Sequence, residues 1–241
     1  MVTGVLASIA LLPLSLLAAA SLPLGTLTIS PVSLSLAYGQ TSTSVTVQNA
    51  HPRPVSVQAR IYRWTQDGDT DVLTPASDVV LSPPMATIPS QAVQTLRLLK
   101  RTGSAAQGNE ELHYRMLLDE IPGVAGRPGQ LSFAMRASIP MIVTPQKPSI
   151  AKLEWRASRG EDDDVLLTVT NSGQAYDRVL MLTATLPNGV IVNAVPRGTN
   201  PYILPGAQRQ WVLPAKVDAS SLQINITTRM GRSERSLLIG P

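Results

Sequence analysis

Histidine is the residue type that most often serves as a base or a metal ligand near neutral pH, and the chain has only His51 and His113. His51 precedes a proline in a predicted turn, and His113 begins a predicted strand. Neither has a second ligand at the spacing of a zinc site. A serine–histidine–aspartate triad could use either histidine, but no motif brings three such groups together. The histidines therefore indicate neither a metal site nor a nucleophilic one.

Paired carboxylates are the other side chains with catalytic potential. Asp119 and Glu120 are adjacent in a predicted strand, so they point to opposite faces and cannot act on one substrate. The acidic run at residues 161–164 is predicted to be a solvated hairpin tip in preference to a calcium site. The chain has no phosphate-binding loop, dinucleotide fingerprint or nucleophile elbow. We expect no enzyme activity, no metal and no cofactor.

Composition excludes two further classes of site. The chain has no cysteine, which rules out disulfides and thiolate metal centres. Its 20 basic and 16 acidic residues give a net charge of +4, and the basic residues are scattered without interleaved aromatics. This pattern does not favour nucleic-acid binding.

The N-terminus predicts export. Residues 5–20 form an apolar stretch interrupted by Pro13 and ending in Ala18-Ala19-Ala20, which fits the cleavage pattern of a secretory signal. A membrane anchor is the alternative, but the stretch is marginal for the roughly 20 residues needed to span a bilayer. One feature departs from the usual signal, because no Lys or Arg precedes Arg53. Residues 1–20 are interpreted as a cleaved signal peptide.

The elements that would position any site are strands. Short runs rich in Val, Ile, Thr and Leu alternate with polar residues, and Pro- or Gly-containing turns separate them. In the first half of the chain the predicted strands are Leu27–Leu36, Ser44–Gln48, Val55–Trp64, Val79–Leu81, Val93–Lys100, Tyr114–Asp119 and Leu131–Val143. In the second half they are Ala151–Arg156, Val165–Thr170, Arg178–Thr185, Val190–Asn193, Gln208–Leu213, Leu222–Thr228 and Ser236–Ile239. No long amphipathic helix is predicted.

Two prolines within Thr144–Pro148 stop the strand pattern and predict a linker. Short antiparallel strands on each side of this linker indicate an all-β chain of two immunoglobulin-like sandwiches. The predicted domains are residues 26–145 and residues 146–241, after the signal at 1–20.

Several motifs give the first domain a family resemblance. The segment Tyr114–Pro122, which reads YRMLLDEIP, is similar to the strand that ends in Glu-Ile-Pro in periplasmic pilus-assembly chaperones, the PapD-like family. Glu111 lies eleven residues before Pro122, where that family carries a glutamate. Further matching pieces are Ile29–Leu34, Arg63–Gly68, Ser82–Pro84 and Gln94–Leu98. The resemblance covers about residues 27–145, and YRMLLDEIP, RWTQDG and SIPMIV together most resemble the branch that serves spore-coat-U-like subunits.

The resemblance implies a bent arrangement of the two domains and a mechanism. Pilus subunits lack their last strand, and the chaperone lends its own last strand of the first domain until a neighbouring subunit replaces it. This donor-strand complementation is a form of β-augmentation. The strand that would be lent has apolar residues at every second position. Its predicted subunit-facing row is Leu131, Phe133, Met135, Ala137 and Ile139. The alternative is that the row packs in the domain's own core, as we expect for its Ile139–Val143 end.

The chain departs from the better-known family members at the basic pair that grips the subunit's terminal carboxylate. The resemblance aligns Ser33 with the arginine of that pair and Pro140 with its lysine, and neither can neutralise a carboxylate. Arg115 and Arg136 are the candidate replacements. The alternative for each is a solvated arginine, or one paired with Glu111. Thr144 replaces the arginine that locks the two domains together in those members.

The predicted function is therefore that of a periplasmic chaperone for pilus subunits, which works without ATP and delivers its cargo to an outer-membrane usher. The expected partners are spore-coat-U-like pilus subunits and the usher. Whether the unloaded chain pairs with itself through the same edge is left open. The alternatives are a secreted immunoglobulin-like binding or envelope scaffold module and, less favoured, a secreted β-sandwich hydrolase.

Overall fold

The structure, a computed structural model, describes residues 27–101, 111–122, 134–147, 149–160, 164–198, 200–214, 216–217 and 219–241. The predicted signal peptide, the donor positions Leu131 and Phe133, and most of the acidic tip lie outside these residues. Within the described ranges the regular structure is entirely β, which confirms the predicted fold class. No helix in this part of the chain is both long enough and apolar enough to cross a bilayer.

Ten strands of the first domain lie within the described residues. They are β1 Leu27–Ser30, β2 Leu34–Leu36, β3 Ser42–Asn49, β4 Val55–Asp67, β5 Thr70–Pro75, β6 Val79–Ser82, β7 Met85–Ile88, β8 Val93–Lys100, β9 Leu112–Ile121 and β10 Arg136–Val143. One sheet has the order β1-β3-β8-β6, and the facing sheet has the order β2-β10-β9-β4-β5 with β7 also on β4. The alternation of strand side chains places Val45, Val47, Leu96 and Leu98 between the two sheets, each at most 1% exposed.

The first predicted strand is wrong as a single element. Leu27–Leu36 forms two strands that belong to opposite sheets, β1 beside β3 and β2 beside β10. Pro31 lies at the break between them and has no amide hydrogen for a ladder bond. As a result, β2 pairs in parallel with only the last three residues of β10, Met141–Val143.

The described residues of the second domain contain nine strands. They are β11 Leu153–Arg159, β12 Val165–Asn171, β13 Asp177–Thr185, β14 Ile191–Asn193, β15 Val195–Pro196, β16 Tyr202–Ile203, β17 Gln208–Leu213, β18 Ser221–Thr228 and β19 Gly231–Gly240. Their order is β14-β13-β18-β19-β11-β12-β17-β15, with β16 on β13. The buried face of β12 carries Val165, Leu167 and Val169, all 0% exposed.

A glycine allows close packing of the segment Ile150–Lys152, which leads into β11. Residue 173 has no side chain, and a Cβ built there would lie 2.4 Å from Ile150 O and 2.5 Å from Lys152 N. This close approach lets Gln174 N–H donate to Ile150 O at 3.0 Å and Ser172 N–H donate to Lys152 O at 2.9 Å. Gly173 therefore sets the path by which the chain enters β11.

We expect Gly173→Ala to lower the free energy of unfolding by about 1–3 kcal/mol, because its Cβ would collide with backbone that cannot rotate away. Chemical denaturation of the purified chain measures the change. Gly198→Ala is the matched control, since its Cβ would meet only Asp69 O at an ordinary 3.8 Å. Equal stability of the two variants would contradict this role for Gly173.

Candidate functional site

The inner face of β10 changes from buried to half-buried along the strand. Met141 and Ile139 are 0% and 2% exposed and lie in the first domain's core. Ala137 and Met135 are half-buried and pack against the same core from its open end. The burial of Ile139, Met141 and Val143 agrees with the expectation that this end of the strand packs inside the first domain. Ile139, the innermost of the predicted donor residues, thus fills the chain's own core.

Among the described residues, one backbone edge of β10 has no strand partner over Arg136–Pro140. Its other edge pairs with β9 along the whole strand, whereas β2 covers only Met141–Val143. Thr144 N–H donates to Leu36 O at 2.9 Å, on the β2 side. Because ladder bonds alternate along an antiparallel strand, the N–H groups of Arg136 and Ser138 point to the free edge. These N–H groups have no strand partner in the described part of the chain.

Pro140 fits this arrangement. It shares the parity of Arg136 and Ser138, so the hydrogen-bond donor that proline lacks would have faced the free edge and not β9. No bond of the β9–β10 ladder is lost. Proline is tolerated in strands at such edge positions.

Arg115 lies on the outer face of β9, at the junction of the two domains. Its guanidinium carbon is 3.8 Å from the ring centroid of Trp64 and 5.3 Å from that of Tyr202, a residue of the second domain. The residue is 9% exposed. It forms neither an ion pair nor a hydrogen bond with the described residues, although it is fully able to form both. Burial lowers the pKa of Arg115, and the charge of Asp71 acts in the opposite direction.

Arg136 lies in a different environment. The β9–β10 register places it opposite Asp119, and Arg115 opposite Pro140. Four residues along a strand separate the two arginines by about 13 Å. The side chain of Arg136 is 66% exposed and pairs with the carboxylate of Asp119, which Arg60 also contacts. These two arginines lower the pKa of Asp119 against the opposing effect of burial.

Glu111 joins the two domains without an arginine. Its Oε1 lies 2.7 Å from Nε2 of the buried His113. The same oxygen accepts a hydrogen bond of 2.8 Å from the backbone N–H of Tyr176 in the second domain. Neither candidate arginine therefore pairs with Glu111. His113 also meets the ring of Tyr176 edge-on, at 6.1 Å between centroids.

The hairpin of β4 and β5 makes the second connection between the domains. Asp71 Oδ1 accepts a hydrogen bond of 2.5 Å from Arg209 Nη2, and its Oδ2 accepts one of 2.5 Å from Asn200 Nδ2. The side-chain oxygen of Gln66 accepts a hydrogen bond from Leu204 N–H, and its side-chain NH₂ group donates one to Tyr202 O. Arg209 is 3% exposed, so Asp71 neutralises a buried cation of the other domain. Sequence reasoning missed β5 and this network entirely.

The pKa of Asp71 reflects these contacts. Burial raises it, but the hydrogen bonds from Asn200 and Gln66 and the charge of Arg209 outweigh burial, and the net pKa is below the usual value. A carboxyl group whose pKa falls on folding contributes stability above its unfolded pKa of about 3.9. That contribution is lost as the pH falls through the folded pKa.

We expect Asp71→Asn to lower the free energy of unfolding by about 2 kcal/mol at pH 7, the range for hydrogen bonds to charged groups. The difference in free energy of unfolding between the variant and the unmodified chain should narrow below about pH 4, where the carboxyl group of the unfolded chain begins to bind a proton. Chemical denaturation of both chains at a series of pH values measures this difference in the free energy of unfolding. Asp67→Asn is the control on the same hairpin, because Asp67 is exposed. A difference that is unchanged at pH 3 would contradict the assignment.

The aromatic platform beneath Arg115 was also not predicted. Trp64 is 1% exposed and its ring centroid lies 5.4 Å from that of Tyr202. The alternation of β4 gave a usable signal, because it puts Trp64 and Tyr62 on one face and Tyr62 opposite Arg115. Nothing in the sequence pointed to Tyr202, which comes from the other domain.

Comparison with protein families gives one match. Residues 26–149 match the family model described as "Pili and flagellar-assembly chaperone, PapD N-terminal domain". This match covers about half of the chain and includes β1 through β10. No curated protein matches the sequence.

Solved structures show the same two-domain immunoglobulin-like fold over most of the chain. A chain in the complex of the chaperone CsuC with the tip adhesion subunit CsuE, from archaic chaperone–usher Csu pili of Acinetobacter baumannii, is 21% identical, with a TM-score of 0.64 and coverage of 90% of this chain and 100% of that one. A chain in the complex of the Salmonella enterica SafA pilin with the SafB chaperone is 17% identical, with a TM-score of 0.61 and coverage of 90% and 98%. The E. coli chaperone DraB is 21% identical, with a TM-score of 0.55 and coverage of 89% and 96%.

Proposed function

Because the chain belongs to the family of pili and flagellar-assembly chaperones with a PapD N-terminal domain, we propose that it is a periplasmic chaperone that completes pilus subunits with strand β10. The observation that carries the proposal is the edge at Arg136–Pro140, which has no strand partner among the described residues. In the sequence before it, apolar residues occupy the alternate positions Met135, Phe133 and Leu131. An exposed edge of this kind normally causes aggregation, so its retention supports a use in binding.

The donor row would act together with the backbone edge. The N–H and C=O groups of Arg136 and Ser138 would bond to the edge strand of the subunit. On the inner face, Met135 and Ala137 cover the open end of the core and would become shared with the apolar groove of the subunit. Each large apolar side chain buried in this way contributes about 1.5–3 kcal/mol. Ile139 would support the row from inside the core.

The subunit's terminal carboxylate would bind Arg115. The better-known family members carry a lysine at the position of Pro140, and Arg115 is the residue directly opposite Pro140 on β9. Side chains opposite each other in a ladder are about 5 Å apart, so moving the cation by one strand keeps it in the same cleft. Arg115 forms no salt bridge or hydrogen bond with the described residues, although the charge of Asp71 acts on it from a distance. Arg136 already shares Asp119 and is the weaker candidate.

The subunit class proposed is the spore-coat-U-like one, and delivery to an outer-membrane usher would follow capture. YRMLLDEIP and SIPMIV support the branch. The chain would reach the periplasm through the signal at residues 1–20, and the domains proposed are 26–145 and 146–241.

Co-expression tests this function. The tagged full-length chain would be produced with secreted β-subunits encoded by neighbouring genes, and complexes would be purified from the periplasm. We expect a stable one-to-one complex in which the subunit is soluble only with the chain present. Subunits that fold and remain soluble without the chain, or that never co-purify with it, would reject the proposal.

A further inference from the structure

The last strand of the second domain also has a free edge. In the described part of the chain, β19 pairs with β18 over Gly231–Leu238, and its other side meets β11 only at Ile239 and Gly240. Gly231–Leu238 have no strand partner on that side in the described ranges. Ile239 N–H donates to Ser220 O at 2.9 Å, on the β18 side. By alternation, the N–H groups at the even-numbered positions point to the free edge. They belong to Arg232, Glu234, Ser236 and Leu238.

A gap lies beside this edge, where β11 diverges from β19. Its volume is about 220 Å³. Its lining includes Leu153 and Trp155 from β11, Ile226 and Thr228 from β18, and Ser233 and Arg235 from β19. A strand added to the edge of β19 would place every second side chain in this gap. The gap offers such side chains both apolar contacts and the guanidinium groups of Arg232 and Arg235.

The charge at the gap is positive. Neither Arg232 nor Arg235 forms an ion pair with the described residues. Glu234 lies on the face of β19 opposite to Arg235. It accepts a hydrogen bond from Gln223 at 2.6 Å. Asp177 also lines the gap, but it is 3% exposed and its Oδ1 accepts from Arg178 N–H at 2.7 Å. An acidic side chain is therefore the complementary group.

A second copy of the chain is a poor occupant. Residues opposite each other in an antiparallel pair share a face. The face of β19 that carries Arg235 has no carboxylate, since its other residues are Gly231, Ser233, Leu237 and Ile239. A second β19 therefore offers Arg235 no acidic partner in any register. The edge also differs from that of β10, whose inner face carries Met135, Ala137 and Ile139 where β19 carries Ser233 and Arg235.

We propose that the free edge of β19 binds an extended acidic segment of a partner protein as an added strand, with an acidic side chain of that segment paired to Arg235. The binding mode is β-augmentation, in which the backbone gives affinity and the alternate side chains give specificity. This second surface does not depend on the function proposed for β10.

Peptide binding to the purified full-length chain tests the inference. The probe is a fluorescently labelled peptide, Ser-Val-Thr-Asp-Thr-Val-Ser, whose Val-Asp-Val face fits the gap. The same peptide with lysine in place of aspartate is the comparison. We expect saturable binding of the aspartate peptide, measured by fluorescence anisotropy, and at least tenfold weaker binding of the lysine peptide.

Three variants separate the two components of binding. Arg235→Glu should reverse the preference between the peptides, and Ser236→Pro should weaken both at least tenfold by removing an edge N–H. Arg97→Glu makes the same charge change on β8 and should leave binding unaltered. Absence of saturable binding, or binding that Arg235→Glu and Ser236→Pro leave unchanged, would overturn the inference. A dimer that Ser236→Pro dissociates would assign the edge to a second copy instead.

Discussion

Replacing Arg115 by methionine should reduce subunit capture by a factor of about 30 or more. Methionine keeps much of the apolar contact with Trp64 and removes the charge. If the subunit carboxylate binds Arg115, removing one partner of a buried, hydrogen-bonded charge pair costs about 2–5 kcal/mol. The measurement is the yield of subunit that co-purifies from the periplasm, followed by the dissociation constant of the purified complex.

Arg136→Ala is the matched control for this experiment. Its side chain is 66% exposed, and surface ion pairs of this kind contribute little, so capture should change by less than about fivefold. Subunit capture by Arg115→Lys should lie between that of Arg115→Met and that of Arg136→Ala, because an ammonium group keeps the charge but not the planar bidentate geometry. Normal capture by a folded Arg115→Met variant would exclude Arg115 as the carboxylate anchor.

Met135→Asp should abolish capture while the free chain stays folded. Met135 is only half-buried in the free chain, so a carboxylate there can remain hydrated. In the complex the same carboxylate would enter an apolar groove, where an unpaired charge is strongly unfavourable. The lost apolar contact alone accounts for about 1.5–3 kcal/mol, a factor of at least ten. Phe133→Asp is expected to act in the same way.

Ser138→Asp distinguishes the donor row from a general effect of charge. It adds the same carboxylate to β10, but on the outer face of the strand, where Ser138 is exposed. Capture by this variant should exceed that of Met135→Asp at least tenfold. Undiminished subunit yield with Met135→Asp would show that this face of β10 is not what the subunit receives.

Alternation of apolar and polar residues predicted strands well where the pattern was regular. Val93–Lys100 and Gln208–Leu213 have the predicted bounds in the structure. Polar or proline-rich strands were missed, as at Thr70–Pro75, or predicted too short, as at β19, where only Ser236–Ile239 was expected. In these segments the neighbouring strand and not the side-chain pattern determines the conformation.

The site was predictable only in part, and for a different reason. The strand period shows which residues share the face of the predicted donor row. It does not tell core from groove, and the structure places Ile139 and Met141 in the first domain's core. The environment of Arg115 depends on the register of β4 against β9 and on Tyr202, more than 80 positions away in the sequence. No local pattern encodes such a contact. The pairing of Asp71 with Arg209 could not be predicted either, because the two residues are far apart in the sequence.

The hairpin of β4 and β5 restricts how this chain can be recombined with related proteins. The carboxylate of Asp71 in this hairpin neutralises the buried guanidinium of Arg209 in the second domain. Gln66 forms hydrogen bonds with two backbone groups of the second domain. A chimera that joined the first domain to a foreign second domain would leave Asp71 without its cation. The reciprocal chimera would leave Arg209 buried without an anion. A functional chimera must therefore take the β4–β5 hairpin and the second domain from the same parent protein. The segment that has to be exchanged as one unit thus includes residues on both sides of the linker.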